Sequence, residues 1–170
     1  KIKEIIILGD IKHLFGGFSL EDWKEVKEVL DFISKYGKII LIRGNHDKYL
    51  KALEKNFEVK DFYIKKDICF FHGREIFKEC LGKKIKILVF GHVHPVVYLA
   101  DKSKREKFKC YLKGKYKGKE VYVLPAFSSL YQSNGYDVSH GNLFEINIKN
   151  FEVYVVGDKE VLKFGKIKDL

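Results

Sequence analysis

Glu4-Ile5-Ile6-Ile7-Leu8-Gly9-Asp10 and Lys38-Ile39-Ile40-Leu41-Ile42-Arg43-Gly44-Asn45-His46-Asp47 decide how this chain folds. Each is an unbroken apolar run closed by glycine and polar residues, the pattern of a strand buried on both faces. Between them Ser19 and Asp22 approximate a capping box. Leu20, Trp23, Val26, Leu30 and Ile33 then recur at helical spacing, and Gly37 supplies the stop. Strand, amphipathic helix and second buried strand make a βαβ unit, with parallel strands and a right-handed crossover.

Beyond that unit a short helix is expected over 48–55, then a hairpin of Phe62–Ile64 and Ile68–Phe71, and a third buried strand over Ile85–Phe90. From Val96 the pattern turns to antiparallel hairpins. One joins Phe108–Leu112 to Glu120–Leu124, and another joins Leu143–Lys149 to Glu152–Val156 about Lys149-Asn150. No Pro- or Ser-rich linker intervenes, so residues 1–170 read as a single α+β domain with an α/β-type first half.

Composition narrows the function. The chain has 170 residues, 46% hydrophobic and 33% charged, ordinary for a globular domain. Its apolar runs, such as Ile5–Leu8 and Ile87–Phe90, fall far short of the roughly 20 residues of a membrane span. It opens on Lys-Ile-Lys-Glu without a signal-peptide pattern, so a cytoplasmic location is expected. Neither Gly-x-Gly-x-x-Gly nor a Walker A sequence is present, which argues against hydride transfer and nucleoside triphosphate binding. Cys69, Cys80 and Cys110 share no CxxC spacing and read as buried free thiols. There is no Met, not even at position 1, so the sequence reads as an N-terminally incomplete piece of a longer chain.

Four motifs follow expected buried strands: Gly9-Asp10, Gly44-Asn45-His46-Asp47, His72-Gly73 and Gly91-His92-Val93-His94. Strand ends in open α/β sheets are where ligand crevices form, and glycine lets backbone turn and approach closely. Asp, Asn and His suit Mn²⁺, Fe, Zn²⁺ or Ni²⁺ better than Ca²⁺. In His-x-His on an extended segment both rings point the same way, so His92 and His94 can face one cluster. Taken singly each motif has a plainer reading: a turn for Gly-Asp or Gly-Asn-His-Asp, a hydrogen-bonded core histidine for His72. Their ordered recurrence at strand exits favours a metal site.

The ordered set Gly9-Asp10, Gly44-Asn45-His46-Asp47, His72, Gly91-His92-Val93-His94 resembles the motif series of the calcineurin-like metallophosphoesterases. Gly9-Asp10-Ile11-Lys12-His13 and Leu124-Pro125-Ala126-Phe127 resemble the archaeal branch related to the ligase-associated DNA-repair phosphoesterases. The resemblance implies an αββα sandwich of two mixed sheets flanked by helices. It also implies a dinuclear centre, Mn²⁺ ahead of Fe, Zn²⁺ and Ni²⁺, whose bridging hydroxide hydrolyses a phosphate mono- or diester. By the same resemblance Asp10 bridges two metals, Asn45, His72 and His92 complete one shell, and His94 binds the other. His46 serves as general acid or charge stabiliser, oriented by Asp47, and Arg43 helps order their loop. The family opens with an Asp-x-His motif on a strand preceding Gly9-Asp10. This sequence has no such motif upstream of Lys1, in accord with its missing Met.

Charge bears on the substrate. Thirty Lys against Arg43, Arg74 and Arg105 give a net +10, a Lys-rich bias shared with thermophile proteins. Asp101–Lys119 alone holds nine Lys/Arg and two acids, with Phe108, Tyr111 and Tyr116 interleaved. Such a hairpin can follow a phosphate backbone through Lys113, Lys115 and Lys117, or it can be a solvated ribbon whose Lys guard a sheet edge. Two functions therefore stand: a phosphoesterase acting on nucleotides or nucleic acid, and a non-catalytic nucleic-acid-binding or scaffolding protein on a degenerate phosphoesterase fold. His140 is read as a structural or loop residue, and the sequence carries no signal for oligomeric state.

Overall fold

A computed structural model describes residues 2–11, 19–47, 50, 53–100, 104–128, 135–143 and 145–170. The βαβ unit forms as expected. Strand β1 (Glu4–Ile7) lies parallel to β2 (Lys38–Ile42), and α1 (Leu20–Ser34) connects them. Ser19 Oγ accepts from the Asp22 amide at 3.1 Å while Asp22 accepts from the Ser19 amide at 2.9 Å, so the capping box is complete. Val26 and Leu30, with Trp23 and Ile33 beside them, pack on Ile39, Leu41, Leu50 and Leu53. Leu20 departs from the expected stripe: in the first helical turn it stands 83% exposed.

Strand β3 (Glu58–Lys60) pairs parallel with β2 and completes a three-stranded parallel sheet. The helix expected over 48–55 lies partly outside the described residues. At its described positions the Leu53 amide bonds to the Leu50 carbonyl at 2.8 Å.

The second sheet has eight strands and is mixed. Strand β4 (Phe62–Lys65) forms the expected hairpin with β5 (Ile68–Phe71). Strand β5 runs parallel to β6 (Ile87–Phe90), and β6 parallel to β9 (Lys119–Val123). Two antiparallel strands extend it: β7 (Val96–Ala100) pairs with β8 (Arg105–Tyr116), which also pairs with β9. The hairpin expected between Leu143–Lys149 and Glu152–Val156 does not form. Strands β10 (Asn142–Leu143) and β11 (Ile146–Asn147) pair with each other, whereas β12 (Glu152–Val156) lies between β8 and β13 (Val161–Lys166). Non-local burial wins there, because Val153 and Val155 enter the main core with Cys110 and Leu112.

Gly114 on β8 makes room for that packing: a Cβ there would sit 2.1 Å from the Phe151 ring. The cysteine expectation is corrected for two of three residues. Cys69 on β5 and Cys80 form a disulfide across a Cα separation of 5.4 Å, and Cys110 is a buried free thiol. Spacing along the chain gave no sign of the pair, since only the fold brings Cys80 over β5. Among the described residues no helix is long and apolar enough to cross a membrane.

Candidate metal centre

The exits of β1, β2, β5 and β6 meet around the Nε2 atom of His72. Asn45 Oδ1 and His92 Nδ1 each lie 3.0 Å from it, and Asp10 Oδ2 lies 3.3 Å away. On its other side His72 Nδ1 is 2.6 Å from the Leu8 carbonyl. That carbonyl can only accept, so it holds a proton on Nδ1 and leaves a lone pair on Nε2 of the neutral ring. The cluster thus gathers potential ligand atoms of Asp10, Asn45, His72 and His92 about one point. Ligands about 2.1 Å from one cation at right angles stand about 3.0 Å apart, which matches these spacings. A divalent cation fits the donor set, and the Leu8 carbonyl plays the orienting part that ligating histidines require.

The electrostatics describe the metal-free centre. Burial would raise the Asp10 carboxyl, yet hydrogen bonds from His72 and the His46 amide, with the charges of both rings, hold it at about 2. Burial pulls the His72 imidazole down, but Asp10 and the Leu8 carbonyl more than offset this and its pKa ends raised. Burial, followed by the His72 charge, brings His92 down to about 4. Without a cation the Asp10 carboxylate therefore favours a proton on His72 Nε2 while His92 stays neutral; a cation bound there would take the place of that proton.

Backbone strain marks the same residues. Asp10, His92 and His94 adopt left-handed φ of 51°, 65° and 46°. Such values are uncommon outside glycine and cluster at functional sites. Close approach of the two loops of the smaller sheet explains two glycines. A Cβ on Gly9 would lie 2.6 Å from the Gly44 amide, and one on Gly44 would lie 2.2 Å from Asp10 Oδ1.

Asp47 explains how those loops are held. It is 1% exposed, and Oδ2 accepts from the amides of Asp10 at 2.7 Å and Gly44 at 2.9 Å, while Oδ1 accepts from Ile11 at 3.1 Å. Burial raises its pKa against those hydrogen bonds. The resemblance implies that Asp47 orients His46; the clamp on both loops is an addition, because backbone donors leave no trace in the sequence.

His46 is exposed, and its amide donates to Asp10 Oδ1 at 3.0 Å. His94 lies outside the Asp10, His72 and His92 group whose ligand atoms are within 4.8 Å of one another, although its charge reaches His92. Arg43 ion-pairs with Glu54 and Asp61 rather than entering the cluster. An open cleft of about 340 Å³ beside Asn45 and His72 is lined by Arg43, Glu75 and Arg74. Arg74, which sequence reasoning passed over, is exposed there and has no carboxylate partner among the described residues. Lys12 and His13 of the first motif lie outside the described residues.

The basic hairpin is placed by register. Lys115 lies level with Glu120, which is level with Ile87 at the start of β6, whereas the metal-ligand candidates emerge past Phe90 at its end. Lys113, Lys115 and Lys117 therefore stand toward the opposite end of the sheet. An edge-guard role does not account for Lys113, which is paired on both sides.

No family model and no curated protein matches this sequence. Among solved structures, the nuclease MPE of Pseudomonas putida superposes with a TM-score of 0.65 at 23% identity, covering 95% of this chain and 70% of that one. A single mutant of Vps29 from Entamoeba histolytica gives 0.43 at 16% identity, covering 97% and 84%. Vacuolar Protein Sorting 29 from Cryptosporidium parvum gives 0.43 at 16%, covering 96% and 97%. The likeness to the nuclease shows a shared fold, and the α+β class expected from the sequence holds; the smaller sheet is parallel rather than mixed.

Proposed function

We propose that this protein is a divalent-metal-dependent phosphoesterase. The observation that carries the reading is the cluster of potential ligand atoms about His72 Nε2, in which Asp10, Asn45 and His92 stand 3.0–3.3 Å from one atom. Asp10, Asn45, His72 and His92 would hold one ion, and Asp10 with His94 would contribute to a second, Mn²⁺ being the leading candidate. Such a pair supplies Lewis-acid charge to a phosphoryl group and acidifies water. Arg74, in the cleft beside Asn45 and His72, is suited to receive a non-bridging phosphate oxygen. His46 projects from the loop whose amide fixes Asp10, a position suited to giving a proton to the leaving oxygen. Asp47 keeps the two loops in register for that task. The nuclease with the shared fold supports a phosphodiester as substrate.

A second reading, a non-catalytic binding protein, draws on the position of His94 outside the three-residue ligand group. Hydrolysis of bis-p-nitrophenyl phosphate with added Mn²⁺ separates the two. The phosphoesterase reading expects turnover that falls at least 100-fold in Asp10→Asn and in His46→Asn. Absence of turnover with Mn²⁺, Fe²⁺, Zn²⁺ or Ni²⁺ would establish the binding protein instead.

A further inference from the structure

Strand β8 presents a second chemistry. Cys110 and Leu112 are fully buried, so alternation puts Arg105, Lys107, Lys109, Tyr111, Lys113 and Lys115 on its other face. At about 3.3 Å per residue this row is roughly 33 Å long. Tyrosines stand directly opposite it on the neighbouring strands: Tyr98 faces Lys107, Tyr154 faces Tyr111, and Tyr122 faces Lys113.

The two halves of the row differ. At the far half Lys113 and Lys115 stand opposite the carboxylates of Glu152 and Glu120. At the near half Arg105 and Lys107 stand opposite Ala100 and Tyr98, neither acidic. Lys109 is already engaged, its ammonium donating to the carbonyls of Ala126 and Ser128. The Arg105 guanidinium lies 4.3 Å from the Tyr98 ring centre, and Lys107 also lies over that ring at 5.5 Å. Tyr98 and Tyr111 remain 36% and 39% exposed.

Register joins the near half to the metal centre. Leu112 is level with Val123 and hence with Phe90, so β8 from Tyr111 back to Arg105 extends past the end of β6 where His92 emerges. Its partner β7 starts two residues after His94, with Val96 opposite Lys109.

We infer that a single-stranded nucleic acid lies along this near half of β8, its phosphates on Arg105 and Lys107 and its bases stacked on Tyr98 and Tyr111. Cations that track the backbone, interleaved with rings that accept any base, are the two elements such binding needs. Delivery of a phosphodiester to the metal centre rests on the phosphoesterase reading; the binding does not.

Fluorescence anisotropy of a labelled oligothymidylate with the whole chain in chelator, across about 50–200 mM salt, tests it. Arg105→Gln with Lys107→Gln should weaken binding at least tenfold and reduce the log–log salt slope by about 1.4. Tyr98→Ala with Tyr111→Ala should weaken it about tenfold or more and leave the slope unchanged. Neutralising Lys113, Lys115 and Lys117 together should cost less than the Arg105/Lys107 pair. Equal loss from the two charge sets, no binding by the wild type, or a duplex bound as tightly as the single strand would each overturn the inference. Thermal melts confirm that the exposed substitutions leave the fold intact. Binding without turnover in the wild type would fail the phosphoesterase reading and leave this inference standing.

Discussion

At His92 two costs coincide: a left-handed φ of 65° and a half-buried imidazole whose pKa burial brings down to about 4. Strain of this kind costs about 1–3 kcal/mol and persists where surrounding contacts enforce it. The depressed pKa makes metal-free stability depend on pH, with a definite sign. Between about 4 and the ordinary histidine value of about 6.5 the unfolded chain carries a proton on this ring that the folded chain refuses. Stability is therefore present above that window and is lost as pH falls through it. His72, with its raised pKa, is protonated in both states across most of the window and adds little slope there. Urea melts of chelated protein between pH 4.5 and 6.5 should show midpoints falling toward acid. His92→Asn, a residue that tolerates left-handed backbone, should lose up to one proton from that slope. An identical slope in the variant would place the titration elsewhere.

Among elements, the loops after β1 and β2 depend on Asp47 more than on each other's side chains. Asn at this position has one acceptor where three amides converge on two oxygens, so its NH₂ must face at least one buried N–H. Each buried group left unsatisfied costs about 1–3 kcal/mol, and loss of an orienting partner typically weakens metal binding about 10–100-fold. Asp47→Asn should lower the urea midpoint and raise the Mn²⁺ dissociation constant in calorimetric titration. Unchanged values for both would remove the clamp. These loops also show what was legible in the sequence. Glycine and polar residues closing buried strands announced the four exits, because strand ends and glycine geometry are local properties. The clamp, the Leu8 carbonyl behind His72 and the left-handed histidines were not legible, since each depends on backbone groups that any residue carries. One side chain and one strand depart from their local pattern because chain remote in sequence decides them. Lys119 was counted with the solvated hairpin but is buried, its ammonium donating to the carbonyls of Gly82 at 2.8 Å and Ile85 at 2.5 Å. Glu152–Val156 alternates as a strand should, yet pairs with β8 and β13, because the recess at Gly114 that seats Phe151 is made by chain remote in sequence.

Over the whole molecule, the candidate centre joins two separately built sheets. Asp10 and Asn45 leave the three-stranded parallel sheet, whereas His72 and His92 leave the eight-stranded mixed one. Among the described residues the direct links across this junction include the His72 contacts to Leu8 at 2.6 Å, Asn45 at 3.0 Å and Asp10 at 3.3 Å, with Tyr63 and Lys65 reaching Glu4 farther down the strands. An ion held by all four side chains would bind the folded chain alone, since unfolding separates the sheets that supply its ligands. Linkage then sets the gain: metal at 100 times its dissociation constant adds about 2.7 kcal/mol. For a chain of this size that corresponds to a Tm rise of roughly 5–10 °C. Mn²⁺ titrated into chelator-treated protein should raise Tm by this amount, and excess chelator should reverse it. Amide exchange should slow at Gly9–Ile11 on one sheet and Gly91–His94 on the other together, because one ion would close both openings. Asp10→Asn should abolish the rise while leaving the metal-free Tm within a few degrees. Protection confined to one sheet's loop would show that the ion, if bound, does not join the two, and would reassign its ligands to that sheet alone.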